Sequence, residues 1–347
     1  MKGNTLRAAT PRPRIGAATV RDVAAAAGVS VATVSRVLNG KSTVAESLRA
    51  TVLKAARQLN FTPHAAAKAL ATKRFMTIGA VVPTLEDSNF AVGIAALQQA
   101  VNRRGYTLLL ASSNYDADEE FRQVQAMVGQ GVAGLMLVGA RRAASVYAML
   151  DAQQIPFINT WVLDEAHPCV GFDNRAIGRT LANYLLDLGH TDFGLIAQHS
   201  PNSDRAAQRI AGAREALAAR GVQLPQERLI ERSHKIADGQ LALRTLLQSQ
   251  RRPTAVMCGT DTLAFGALVE AHAQGLHVPH DLSITGINDV EFAAHLTPPL
   301  TTIRLPADEI GARAAEYLMG CIDGKAVVLR TPVEFSLIVR ASTARAP

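Results

Sequence analysis

Residues 28–40 read GVSVATVSRVLNG, a run of small apolar side chains and short hydroxyls with one guanidinium, Arg36. A guanidinium can grip a carboxylate, a phosphate or the O6/N7 edge of guanine through a bidentate fork. Which of these it meets depends on the element that presents it. Elsewhere the groups that do covalent chemistry are scattered. There is no Walker motif, no G-x-S-x-G elbow, no metal-spaced cluster among the nine histidines, and no G-x-G-x-x-G after the first apolar run beyond residue 76. Cys169, Cys258 and Cys321 are odd in number and match no zinc spacing, so they read as small buried hydrophobes of a reduced, cytosolic protein. These observations point to a binding protein with no catalytic group, no metal site and no cofactor.

Charge narrows the partner. Residues 1–75 hold 13 Lys/Arg and two acids, a net +11, whereas residues 76–347 hold 23 Lys/Arg and 27 acids, a net −4. One small basic module and one mildly acidic body is the asymmetry expected when the first meets a polyanion. A length of 347 residues with 48% hydrophobic side chains allows two or three domains. No apolar run reaches the roughly 18–20 residues of a membrane span. The opening MKGNTLRAATPRPRIG has charge but no apolar stretch, so residues 1–18 read as a flexible basic tail and not a signal peptide. A cytoplasmic protein with no membrane partner is expected.

The elements that must hold Arg36 are three short helices over residues 19–59. Thr19 with Asp22 has the form of a capping box opening TVRDVAAAA, which Gly28 breaks. Ser30 caps VATVSRVL, which Asn39-Gly40 ends. A third helix runs through ESLRATVLKAARQLN, with Leu48, Val52, Ala55 and Leu59 on one face. This is the layout of a helix-turn-helix, here assigned to residues 19–62. Val23, Ala27, Val34 and Val37 supply its core, and Val31, Ala32, Ser35 and Arg36 fall on the opposite face of the second helix. After Pro63, HAAAKALATKR is an Ala-rich segment too short to be a stable helix alone. From residue 76, runs such as MTIGAVVP, YTLLLASS, PFINTW, FGLIAQH and LSITGI alternate with amphipathic helices. That pattern means parallel sheets covered on both faces, and its length suggests two lobes with a ligand cleft outside the carboxyl ends of the strands.

The segment TVRDVAAAAGVSVATVSRVLNG…STVAESLRATVLKAARQLNFTPHAAAKALA resembles the DNA-binding segment of LacI/GalR-type bacterial repressors. VGFDN…LLDLGHTDFGLI, QRIAGAREAL, CGTDTLAFGAL and GLHVPHDLSITGINDVEFAAHLTPPLTTIRLP are similar to the same family's effector core. The resemblance covers about residues 19–340. It implies an all-α helix-turn-helix domain with a hinge helix over 63–75, then an α/β, two-lobed, periplasmic-binding-protein-like core over 76–347 with parallel sheets. One lobe would hold about 76–172 and 305–333, the other about 173–304 and 334–347. The implied protein is a homodimer on a palindromic operator, most simply a repressor, with a small molecule between the lobes shifting the population of DNA-competent dimers. The chain stops at Pro347 without trailing leucine heptads, which favours a dimer over a tetramer. The core alone would also suit a solute-binding protein; the basic N-terminal segment and the missing signal peptide weigh against it.

The resemblance also maps residues. Val31, Ala32 and Arg36 fall on recognition positions, where the first two can touch thymine methyls and Arg36 can read guanine. Ser30, Thr33, Ser35 and Asn39 suit phosphates. Ala45 stands where the family usually has a helix-capping Ser. In the hinge segment, Leu70 matches the residue that wedges into the minor groove, Ala67 is small enough for close approach, and Lys68 can reach phosphate. In the core, Arg209 matches an Arg aimed at ligand oxygens, Asp173 lies at the lobe crossover beside Asn174, and Asp87 follows the first core strand. Trp161 falls where an indole could stack on a ligand ring, and His234 falls at an often aromatic position. Thr260 and Asn288 replace an Asn and an Asp of the family pattern. The second change removes negative charge and suggests an effector with anionic character, such as a sugar acid, so a sugar or sugar acid is the expected effector.

Overall fold

Thr19 sets where the first helix begins. Its hydroxyl accepts from the Asp22 amide at 3.3 Å while the Asp22 carboxylate accepts from the Thr19 amide at 2.7 Å, a reciprocal cap on α1 (Val20–Ala27). Gly28, at φ +65°, ends it in the left-handed region that glycine enters without strain. Ser30 then opens α2 (Val31–Leu38) by accepting from the Thr33 amide at 3.2 Å. Helix α3 (Glu46–Gln58) starts at Ala45 with no side-chain cap. Val23, Val34, Val37 and Val52 are buried where the three helices meet, with Ala55 and Ala56 alongside. Ala56, rather than Leu59, completes the buried face of α3, since Leu59 is past the helix end and exposed. The computed structural model describes residues 18–38, 44–62, 75–199, 201 and 203–347.

Residues 76–347 form a second compact unit, distinct from residues 1–75. Its first sheet contains β1 (Thr77–Val82), β2 (Thr107–Ser112), β3 (Gly134–Val138), β4 (Phe157–Thr160) and β5 (Cys169–Gly171), joined by β11 (Arg330–Pro332) in the order β11-β5-β4-β3-β1-β2. The second contains β6 (Phe193–Gln198), β7 (Leu229–Arg232), β8 (Ala255–Cys258), β9 (Ser283–Asn288) and β10 (Thr301–Arg304), with β12 (Ser336–Ile338) on the edge, in the order β12-β10-β9-β8-β6-β7. The pairs are parallel except β10 with β12. Strands such as β3 are buried along their whole length, which is why they read as apolar runs.

Helices α4 (Ser88–Asn102), α5 (Ala117–Gln130), α6 (Ala144–Ala152) and α11 (Ala307–Ile322) belong with the first sheet. Helices α7 (Asn174–Asp187), α8 (Asp204–Ala219), α9 (Ile236–Leu247) and α10 (Asp261–Ala273) belong with the second. The chain passes between lobes after β5, after β10 and between β11 and β12. Helices α7 and α8 touch backbone to backbone: a Cβ at Gly178 would overlap the Arg209 carbonyl, and one at Gly212 the Arg175 carbonyl. This contact fixes the height of Arg209 above the sheet. Among the described residues no helix is long and apolar enough to cross a membrane, and no group of three His, Cys, Asp or Glu is placed to hold a metal ion.

Candidate functional site

The first site is the outer face of α2. Val34 and Val37 point into the small core, so helical periodicity turns Val31, Ala32 and Arg36 outward, and all three are exposed. Val31 is 46% exposed, a β-branched side chain left in water. Ser30 is exposed at the helix start, and its hydroxyl lies 2.9 Å from that of Thr33. Ser35 is half-buried. The face therefore offers two side chains without polar atoms and one long guanidinium. Asn39, Ala67, Lys68 and Leu70 lie outside the described residues.

The second site is the cleft between the sheets of the core. Arg209 Nε donates to Asn174 Oδ1 at 2.9 Å and Nη1 to the Gly259 carbonyl at 3.3 Å. Burial, reinforced by neighbouring Arg205, lowers Arg209 to about 10, so it is still a cation at neutral pH. Across the cleft, Asp87 caps α4 by accepting from the Asn89 amide at 2.9 Å. Burial raises the Asp87 pKa, opposed by its capping bond and by the charges of His234, Arg209 and Arg205. Asp87, Arg209 and His234 are thus brought within electrostatic reach of one another.

Two clasps join the lobes. At one rim His234 Nε2 meets Glu86 at 3.1 Å. At the other, the Asp204 carboxylate accepts from the Ala140 and Arg141 amides at 2.6 and 3.1 Å. Next to it Arg205 lies over the Phe90 ring at 5.9 Å.

The remaining candidates sit elsewhere, and each placement has a local cause. Trp161 is 1% exposed: its ring packs edge-on against Phe90 at 5.1 Å and its N–H donates to Asn89 Oδ1 at 2.5 Å. It forms the layer behind Phe90 and offers no stacking face, which corrects the expectation of a ligand-facing indole. Asp173 is exposed, because its carboxylate turns to the Ala176 amide at 2.8 Å and caps α7. Its neighbour Asn174 is the one buried at the crossover, donating to the Trp161 carbonyl at 2.9 Å while accepting from Arg209. Thr260 is buried with its hydroxyl capping α10 through the Leu263 amide. Asn288 is half-buried at the end of β9, at φ +123°. Asp289 beside it is bound by Arg304 and Arg340 at 2.7 and 2.6 Å, so that carboxylate is structural.

Three residues not singled out by sequence complete the cleft: Arg205, Asp204 and Tyr115. Arg205 precedes Arg209 by one helical turn, a spacing that puts both on one face of α8. Tyr115 gave no such signal, since it sits in a loop with Asn114 and Tyr115 at φ +52° and +61°. Two cavities lie along the cleft, and Arg209 lines the smaller. A small apolar one of about 30 Å³ runs into the second lobe between Leu195, Ile210, Met257 and Cys258. A larger one of about 340 Å³ opens between Ser113, Tyr115, Arg142 and Arg205.

Comparison with known proteins matches both units. The family model described as bacterial regulatory proteins, lacI family, fits residues 19–64, and that of a periplasmic binding protein-like domain fits residues 182–343. The ribose operon repressor of Haemophilus influenzae is 34% identical over 87% of this chain and 91% of its own length. The transcriptional repressor PurR of Erwinia tasmaniensis is 33% identical over 95% of this chain and 98% of its own. Among solved structures, a Lacl family regulator from Silicibacter pomeroyi superposes with a TM-score of 0.88 at 27% identity, covering 94% of this chain and 100% of that one. The lac repressor dimer bound to operator and the anti-inducer ONPF superposes at 0.84, also 27% identical, covering 95% and 100%. The chain belongs to the LacI family of DNA-binding transcriptional repressors, which small-molecule effectors regulate.

Proposed function

We propose that this repressor binds a palindromic operator as a homodimer, reads it through Val31, Ala32 and Arg36, and answers to an oxygen-rich small molecule held in the cleft by Arg209 and Asp87. The observation that carries the cleft reading is Arg209, a guanidinium fixed by Asn174 and Gly259 while Asp87 faces it from the other lobe. Paired opposite charges at the carboxyl edges of two sheets suit a ligand with several hydroxyls or a carboxylate. Trp161 turns its ring inward and Arg205 covers Phe90, which favours hydrogen-bonding contacts over stacking on a flat ring. A sugar or sugar acid fits this better than a purine. The relative named for a ribose operon supports that class, and the relatives named PurR make nucleobases the comparison to exclude.

For the dimer, support comes from exposed apolar side chains on adjacent helices of the second lobe, Ile236, Leu241 and Val269, and from the dimeric lac repressor. The test is a thermal-shift screen of pentoses, hexonates and purine bases, followed by operator binding. A hit should stabilise the core and change operator affinity. The variant Arg209→Ala should lose about 2–5 kcal/mol of effector affinity if the pair is desolvated, while still binding operator. A hit that binds Arg209→Ala as well as the parent would place the ligand elsewhere.

A further inference from the structure

The cavity of about 340 Å³ beside the effector cleft is built from parts that Arg209 and Asp87 do not use. Arg205 reaches it from the second lobe. Its side chain is 8% exposed and forms its hydrogen bond through Nη1 to Asp204, at 2.9 Å. Arg142 reaches it from the first lobe. Its side chain is 1% exposed, and Nε and Nη1 have no hydrogen-bond partner among the described residues. Glu120 lies 3.5 Å from Nη1, an ion pair without a hydrogen bond, and is itself 15% exposed.

The backbone adds to this. Ala117 of α5, Ala143 before α6, and Asp204 and Arg205 of α8 all line the cavity, so the amide ends of three helices converge there. Ala143 brings no side-chain acceptor to the first turn of α6. Ser113 and Tyr115 complete the wall. The acids present are engaged. Asp116 caps α5, Asp204 takes the Ala140 and Arg141 amides together with Arg205, and Glu120 faces Arg142. A buried guanidinium nitrogen without a partner is unfavourable, so an acceptor that supplied the missing bonds would be held there.

We infer that this cavity is a phosphate site, in which one phosphate group lies between Arg205 and Arg142 at the amide end of α6 and displaces Glu120 from Arg142. Arginine forks and helix N-termini are the two devices that most often hold phosphate, and here they meet. Burial raises the Glu120 pKa against the pull of Arg142 and Arg205, so the charged carboxylate is already penalised there and its release from Arg142 is eased. Because Arg142 and Arg205 come from different lobes, the bound phosphate would favour the arrangement in which both face the cavity. It would thereby bias the repressor's two-state equilibrium independently of the ligand on Arg209. The phosphate can be a free anion or one end of a larger effector.

The experiment titrates inorganic phosphate, at constant ionic strength in chloride, into the full chain by calorimetry and thermal shift. The N-terminal unit also attracts anions, but equally in every variant, so the differences between variants carry the result. The double variant Glu120→Gln/Arg142→Gln removes both charges together and should fold while weakening phosphate binding by tenfold or more. Glu120→Gln alone removes the competitor and should tighten binding several-fold. Ribose 5-phosphate against ribose then identifies the source. A tighter response to the sugar phosphate than to inorganic phosphate marks the phosphate as part of a larger ligand, and an equal response marks a free anion. Arg209→Ala should weaken binding of the sugar far more than that of inorganic phosphate, which separates this site from the one on Arg209. The inference is overturned if the double variant responds to phosphate as the parent does, or if Glu120→Gln leaves the affinity unchanged.

Discussion

In the N-terminal unit, Val31, Ala32 and Arg36 stand in solvent on one short helix, whereas in the core Arg205, Arg209 and Asp87 are enclosed and modulate one another. The two regions face opposite physical problems. An exposed face on α2 is held by three helices that bury a handful of valines and alanines, so its weakness is the scaffold and its side chains act nearly independently. The cleft rests on two large sheets, so its scaffold is secure. Its charges, however, are strongly coupled, and changing one leaves another uncompensated. Substitutions should therefore act through folding in the first unit and through electrostatics in the second.

The largest expected effect tests the electrostatic half. Asp261 is fully buried at the start of α10, where it accepts from Thr302 Oγ1 at 2.5 Å and from the Val290 amide at 2.9 Å. Burial, with Asp289 adding to it and Arg340 opposing it, pushes its pKa up to about 6. The folded state then holds this proton more tightly than the unfolded chain does. The stabilisation is complete below pH 4 and lost as pH rises through about 6, on the order of 3 kcal/mol for a shift of this size. Asp261→Asn mimics the protonated acid and escapes that loss. Paired denaturation curves should show the variant gaining on the parent between pH 4 and pH 7. A constant difference across that range would show that Asp261 does not titrate there.

Val52→Ala tests the scaffold half. Val52 is fully buried between the three helices, and removing two methyls costs about 2–3 kcal/mol in transfer and cavity terms. A unit this small has little stability to lose. The first melting transition should fall sharply and operator binding with it, while the core transition and effector binding stay put. If both transitions moved together, the two units would be coupled and the contrast drawn above would fail.

How much of this was legible in the sequence follows from the same contrast. The helix-turn-helix was readable because Thr19, Gly28 and Ser30 each have a local backbone task, and because valines at helical spacing leave the outward residues by elimination. The long core strands were readable as apolar runs. Five of the short ones were not: β5, β7, β10, β11 and β12 have three or four residues each, and β10, with the sequence TTIR, buries threonines through hydroxyl bonds where the equally short β4 and β8 show as apolar runs. In the cleft, a residue's identity did not give its direction. Trp161 and Asp173 occupy positions next to the cleft, yet an indole hydrogen bond to Asn89 Oδ1 and a helix cap turn them away from it. Tyr115 depends on two successive left-handed residues, which no periodicity announces.

Arg36→Ala sharpens the claim that α2 side chains act independently. The guanidinium is exposed and lies opposite the buried Val34 and Val37, so its removal should leave the melting of the unit unchanged. Operator discrimination should fall by about 1–3 kcal/mol at one base pair in each half-site if Arg36 grips a guanine. Binding measured across single-base operator variants checks this. A loss spread evenly over all sequences, with a shallower salt dependence, would make Arg36 a phosphate contact.

The smallest effect concerns Ala45. Helix α3 begins there with φ −57° and ψ 141°, an extended conformation compatible with an N-cap, but alanine has no oxygen to offer the first free amides. Ser30 and Thr19 perform that task for α2 and α1 through bonds to Thr33 and Asp22. Ala45→Ser would add the missing acceptor at an exposed position on α3, away from the outward face of α2. A gained cap stabilises a helix by about 1 kcal/mol. In a unit this small, that should raise the first melting transition by several degrees without altering the base preference proposed for Arg36. It should also recover part of what Val52→Ala removes, since the two positions lie nearly two helical turns apart and their effects should add. If the transition does not rise, the uncapped end of α3 is already satisfied by water, and the core packing alone limits the stability of the reading head.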